Sequence, residues 1–160
     1  RYQGFVGDTA RTVAVGGCSL LSQQLMDVTE RALYEGIAQA VAGRLVADIS
    51  RAVQKCVESN GFSVVQEFVG HGVGRSVHEE PQIPNFVDRK PSPRLQPGMT
   101  LAIEPMVNAG VPEVKMLKDG WTVVTRDGRP SAHFEHTVLV TGAAPEILTC
   151  LEKNRSGWPA

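Results

Sequence analysis

Two carboxylates stand in segments that otherwise read as buried strand. Glu104 closes the run Thr100-Leu101-Ala102-Ile103, and Glu135 sits inside His133-Phe134-Glu135-His136-Thr137-Val138-Leu139-Val140. A carboxylate there must face solvent, meet a cation or bind a metal, because burying it unpaired costs on the order of several kcal/mol. Strand alternation puts Glu135 with Thr137 and Leu139 on one face, and Phe134, His136 and Val138 on the other. A sheet can therefore aim the acid into a site while burying the second set. Two further polar residues have small neighbours: Asp8 lies between Gly7 and Thr9, and His71 between Gly70 and Gly72, where absent side chains leave room for a ligand beside the imidazole. Asp8, His71, Glu104 and Glu135 together offer three carboxylates and one ring nitrogen. That donor set suits a hard or borderline divalent ion such as Mn²⁺, Fe²⁺, Co²⁺ or Zn²⁺. Singly, each has a plainer reading: a turn carboxylate for Asp8, a surface strand residue for either glutamate, a backbone-bonded loop imidazole for His71. Distance along the chain leaves both readings open.

Elements must bring the four together. Thr12-Val13-Ala14-Val15 predicts a strand ending at Gly16-Gly17. From Ser22 to about Ala40, Leu25, Val28, Ala32, Leu33 and Ile37 recur at helical spacing, with Ser19 or Ser22 as cap. A second helix fits Ala47 to Ser59 through Val46, Ile49, Val53 and Val57, stopped by Gly61. Phe62 to Phe68 reads as a strand, and the five prolines between 79 and 98 favour an extended loop. Thr100 to Glu104, Thr122 to Thr125 and Phe134 to Thr141 are further strands, separated by Lys118-Asp119-Gly120 and Arg126-Asp127-Gly128-Arg129-Pro130 turns. The pattern predicts an α+β domain, with two helices covering one face of a curved, largely antiparallel sheet.

Bulk properties narrow the function classes. The 160 residues suffice for one domain with a hydrophobic core, 42% apolar and 21% charged. Sixteen basic residues against seventeen acidic give a net charge of -1, which argues against a polyanion-binding surface. No run of apolar residues is long enough to span a membrane. Cys18, Cys56 and Cys150 lack metal-like spacing, and their odd number fits a reducing, cytoplasmic location.

Five blocks then decide between the readings. Gly4-Phe5-Val6-Gly7-Asp8-Thr9-Ala10-Arg11-Thr12, His71-Gly72-Val73-Gly74-Arg75-Ser76-Val77-His78-Glu79-Glu80-Pro81-Gln82 and Pro97-Gly98-Met99-Thr100-Leu101-Ala102-Ile103-Glu104-Pro105-Met106-Val107-Asn108 are followed by Lys118-Asp119-Gly120-Trp121-Thr122 and Ser131-Ala132-His133-Phe134-Glu135-His136-Thr137. In this order they resemble the type I methionine aminopeptidases. The short interval from His71 to Glu104 leaves no room for the helical insertion of the type II enzymes.

The resemblance implies the pita-bread (creatinase/aminopeptidase-like) fold, in which two related halves surround a site above a curved sheet. Residues 1–160 would form a partial catalytic domain lacking the N-terminal half. It further implies two divalent ions (Co, Mn, Fe or Zn), with Asp8 and Glu135 bridging them and His71 and Glu104 completing the shell of the first. His78 would hydrogen-bond the substrate, Glu104 would carry the proton from water to the leaving amine, and Trp121 would line the methionine pocket. A strand-edge core aromatic is an equal alternative for Trp121. The implied reaction is removal of the N-terminal methionine of nascent proteins and peptides. The implied partners are those peptides and the ribosome, with no nucleic-acid or membrane contact and a monomeric complete protein.

Departures from the family pattern are specific. The family's other aspartate for the second ion falls upstream of Arg1, so an incomplete second site, a fragment and weak activity of the isolated chain are expected. Val77 replaces an aromatic residue before His78, which removes wall from the pocket. Rival readings are a pita-bread peptidase acting on Xaa-Pro substrates and a truncated, non-enzymatic pita-bread binding protein.

Overall fold

The computed structural model describes residues 1–88 and 90–150. A short strand β1 (Thr9–Ala10) precedes helices α1 (Leu20–Ile37) and α2 (Val46–Glu58). Then come β2 (Ser63–Val64), β3 (Gly70–Gly72), β4 (Glu79–Ile83), β5 (Thr100–Ile103) and β6 (Met106–Asn108). The chain continues through β7 (Val114–Met116), β8 (Val123–Thr125), β9 (Ser131–His133), β10 (Glu135–Leu139) and β11 (Glu146–Ile147). Among the described residues no helix is long and apolar enough to cross a membrane.

Both helices follow their periodicity. Ser19 caps α1 by accepting from the Ser22 backbone N–H, satisfying one of the donors that a helix start leaves open. Leu45 precedes α2 and has no side-chain acceptor, so the Asp48 carboxylate reaches back to the Leu45 N–H at 2.9 Å. That bond, more than the nearby Arg51, holds the Asp48 pKa below its ordinary value. The chain leaves the second helix through Gly61 at φ +77°, a left-handed conformation that suits glycine. Leu25, Leu33, Ile49 and Val53 pack with Ile103, Val107, Phe134 and Val138 to form the core between helices and sheet.

The main sheet has the order β1-β10-β5-β3-β4, with β11 also on β10. Its pairings are antiparallel, as are those of β2-β6-β9 and the β7–β8 hairpin. The predicted α+β class and antiparallel sheet are therefore present.

Several boundaries differ from expectation. No strand forms over Thr12–Val15; β1 ends at Ala10, and Val13 and Val15 are exposed. The Thr12 hydroxyl takes over the ladder's role by donating to the His133 carbonyl while accepting from its N–H. The Phe62–Phe68 run pairs only over Ser63–Val64, with one more bond from Val65 N–H to the Met106 carbonyl. Gln66, Glu67 and Phe68 face solvent beyond it. His71 lies in a strand rather than a loop, and the proline-rich stretch opens with strand β4. Pro81 is tolerated there because β4 is an edge strand and its register with β3 shifts between His71 and Gly72.

The glycines flanking His71 also serve a purpose other than the one expected. A Cβ on Gly70 would stand 2.3 Å from the Ala102 carbonyl oxygen, and one on Gly72 would stand 2.2 Å from that of Glu80. The absent side chains let β5 and β4 close on β3. They do not make space for a ligand.

Candidate metal centre

Strand register gathers the four candidate residues. Ala102 of β5 is the partner of both Thr137 of β10 and His71 of β3. Thr137 in turn exchanges bonds with Asp8, accepting from its N–H at 2.9 Å and donating to its carbonyl at 2.8 Å. Asp8, Thr137, Ala102 and His71 thus form one row across four strands, on one face of the sheet. Two residues along, on the same face, come Glu135 and Glu104. The opposite face carries Ile103, Val138 and His136, turned to the helices; the His136 ring lies 6.1 Å from that of Tyr34, and burial lowers the His136 pKa.

A flat sheet would hold β1 and β3 about 14 Å apart, three strand spacings. Yet Asp8 Oδ2 comes within 3.9 Å of His71 Nε2. Curvature of the sheet and the small Ala102 and Thr137 side chains between them allow this approach. Asp8, His71 and Glu135 each present one donor atom, all within 4.8 Å of one another. Glu104 joins through Oε1, 3.3 Å from His71 Nε2.

The electrostatics of this hollow suit a cation. His71 Nδ1 lies 2.9 Å from the Gly72 carbonyl. A carbonyl only accepts, so Nδ1 carries a proton, and Nε2, which faces Asp8 and Glu104, is the ring atom left to ligate a metal. Glu135 is 4% exposed, and its Oε1 has no hydrogen-bond partner among the described residues. Burial, reinforced by the charges of Glu104 and Asp8, pushes its pKa up to about 8. An orphaned buried oxygen of Glu135, the Asp8 carboxylate and His71 Nε2 gathered at one point, with Glu104 beside the imidazole, fit a divalent ion of the Mn²⁺, Fe²⁺, Co²⁺ or Zn²⁺ type.

The other candidates fall at different distances from this point. His78 is exposed and stands edge-on to His71, with ring centroids 4.3 Å apart. Trp121 is 87% exposed in the β7–β8 turn, where Asp119 Oδ1 accepts from its backbone N–H. It is therefore no core aromatic.

Two residues at the site were not singled out by sequence reasoning. His133 places Nε2 3.4 Å from Glu104 Oε2; its signal was parity, since it lies two residues before Glu135. Asn85 is buried and donates to the Glu104 carbonyl at 3.1 Å. Nothing distinguished Asn85 within the proline-rich segment.

Residues 1–142 match the pattern of metallopeptidase family M24. A methionine aminopeptidase of Clostridium perfringens is 52% identical over 149 residues, covering 93% of this chain and 60% of that protein. The crystal structure of a methionine aminopeptidase from Thermotoga maritima is similar with a TM-score of 0.90 at 47% identity, covering 94% of this chain and 60% of that one. A prolidase from Pyrococcus furiosus, at 22% identity and a TM-score of 0.71, shares the fold. The chain spans about 60% of the length of these closer relatives. The fold is the pita-bread fold, and its curved sheet carries the acid and imidazole cluster on one face. With that sheet, that cluster and a sequence match over most of its length, the chain belongs to metallopeptidase family M24.

Proposed function

We propose that this chain is the metal-binding part of a methionine aminopeptidase, hydrolysing the peptide bond after the N-terminal methionine of nascent proteins and peptides. The observation that carries the reading is the convergence of Asp8, His71, Glu104 and Glu135, from four strands or strand ends, on one hollow. The likeness to methionine aminopeptidases at 47 to 52% identity, against 22% for a prolidase, supports this substrate over Xaa-Pro peptides.

Asp8, His71, Glu104 and Glu135 would hold a first divalent ion, and Asp8 and Glu135 would share a second. Such ions polarise a carbonyl and bring the pKa of water toward neutrality. The protein's own groups do the rest. His71, held by the Gly72 carbonyl at Nδ1, keeps Nε2 turned inward. The Glu104 carboxyl group is flanked by two imidazoles, so it can hold a proton in transit from water to the leaving amine. His78, exposed beside His71, would donate a hydrogen bond to the substrate's scissile carbonyl. Trp121 would supply a face of the methionine side-chain pocket. The three free cysteines support a cytoplasmic setting, and the ribosome, with its emerging chains, is the partner this substrate implies.

The deciding experiment compares Met-Ala-Ser with Xaa-Pro-Ala hydrolysis by the full-length protein, alongside Co²⁺ titration of wild type and Glu135→Ala. Metal-dependent cleavage of the first peptide, lost with Glu135, is expected. Metal uptake with preferential Xaa-Pro cleavage would move the protein to the prolidase class. No metal uptake by wild type would make it a binding protein.

A further inference from the structure

Glu104 has two carboxyl oxygens, and each faces a different histidine. Oε1 lies 3.3 Å from His71 Nε2, in the cluster, while Oε2 lies 3.4 Å from His133 Nε2, away from it. The two imidazoles differ in what they offer. His71 donates from Nδ1 to the Gly72 carbonyl and faces the cluster with Nε2. His133 Nε2 is out of contact with solvent and has no hydrogen-bond partner among the described residues. Glu104 is the acceptor within its reach. The separation is a few tenths of an ångström beyond a formed N–H···O bond, a gap that a small turn of the carboxyl group closes.

His133 is also held more firmly than a surface histidine. Its backbone N–H and carbonyl are both tied to the Thr12 hydroxyl at 2.9 Å. Its strand pairs with β6 so that His133 opposes Met106, two residues after Glu104. On the other side Asn85 fixes the Glu104 carbonyl. Backbone and carboxylate of the one acid are thereby restrained from separate elements.

We propose that His133 is a positioning residue for Glu104. Its Nε2–H holds Oε2, so the carboxylate presents Oε1 alone to a metal ion between Asp8, His71 and Glu135. Without that donor the carboxylate is free to rotate, to swing out of the site or to engage through both oxygens. This inference rests on the metal reading above and adds a residue to it. A hydrogen-bonding partner behind a metal ligand commonly changes affinity or activity by about 10- to 100-fold when removed.

The test uses the full-length protein in three forms: wild type, His133→Leu, which keeps much of the bulk without a donor, and His133→Gln, whose amide NH₂ reaches about as far as Nε2. Co²⁺ affinity by calorimetry and the d–d spectrum of the Co²⁺ form are read with kcat and KM on Met-Ala-Ser. His133→Leu is expected to bind Co²⁺ about 10- to 100-fold more weakly, with an altered d–d spectrum and a loss in kcat rather than KM. His133→Gln is expected to restore affinity, spectrum and kcat. Wild-type affinity and spectrum in His133→Leu would overturn the assignment. So would equal losses in the leucine and glutamine variants, since those would mark a need for the imidazole's shape and not its donor. Unfolding of the metal-free variants separates these results from misfolding. Absence of Co²⁺ uptake by wild type would instead overturn the metal reading, and this inference with it.

Discussion

Glu135→Gln removes one ionisable group from the cluster while keeping its shape, and the direction of its effect on stability is unusual. In the metal-free protein the Glu135 carboxyl is raised from 4.5 to about 8, by burial first and by Glu104 and Asp8 second. In the unfolded chain it titrates at its ordinary value. Between those two values the folded state keeps a proton that the unfolded state releases. Stability must then fall as pH rises, by about 1.4 kcal/mol per pH unit, opposite to the behaviour of a salt-bridged acid. Below 4.5 both states are protonated and the group contributes nothing. At pH 7 the interval is 7 − 4.5 = 2.5 units, a loss of about 3 kcal/mol. Above about pH 8 the loss levels off near 5 kcal/mol. Glutamine has no such titration, so at pH 7 in EDTA the variant should exceed wild type by about 3 kcal/mol, an advantage that vanishes by pH 4.5. Urea unfolding from pH 5 to 8 measures it. Adding Mn²⁺ at a hundred times its Kd should return about 2.7 kcal/mol to wild type alone, with release of a proton on binding. Stability curves of wild type and variant that run parallel across this pH range in EDTA would refute the reasoning.

Other substitutions separate site from scaffold. Gly72→Ala sets a Cβ against the Glu80 carbonyl oxygen; it should cost more than about 2 kcal/mol in urea unfolding and weaken Co²⁺ binding, because His71 must move with its strand. Asp48→Ala frees the Leu45 N–H at the start of α2 and should cost about 1 kcal/mol with no effect on metal affinity. Trp121→Ala removes an 87% exposed side chain, so stability should stay within about 0.5 kcal/mol while KM for Met-Ala-Ser rises. His78→Ala should lower kcat by about 10²- to 10³-fold and leave Co²⁺ affinity unchanged, as its ring touches His71 edge-on without joining the cluster.

Local physics was legible in the sequence and pairing across the chain was not. Leu25, Val28, Ala32, Leu33 and Ile37 mark α1 because a helix repeats within its own turn. Gly61, Gly120 and Gly128 mark stops and turns because their positive φ is a local demand. Glu104 and Glu135 stood out because each interrupts an apolar strand. Thr12–Val15 has a strand's composition, but its fate is set by His133, 121 residues away, whose backbone the Thr12 hydroxyl takes. Strand β4 was hidden by Pro81, which reads as a breaker until the strand is known to lie at an edge. The same limit applies to the site. Three carboxylates and an imidazole named the ion class, while only register put Asp8, Thr137, Ala102 and His71 in one row.

That register explains why the cluster reads as a working site. A sheet selected for stability alone would line this hollow with apolar residues, as it lines the opposite face with Ile103 and Val138. Here it places Glu135 at 4% exposure with an orphaned oxygen and sets His71 Nε2 beside two more acids. Burying Glu135 next to two acids disfavours its ionised form, and a divalent ion held there would offset that cost. A one-residue slip of β10 would send Glu135 to the helix face and His136 into the hollow. Fold and site are therefore not separable: the pairing that buries Val138 also delivers the third carboxylate, and an ion that neutralised it would stabilise the sheet.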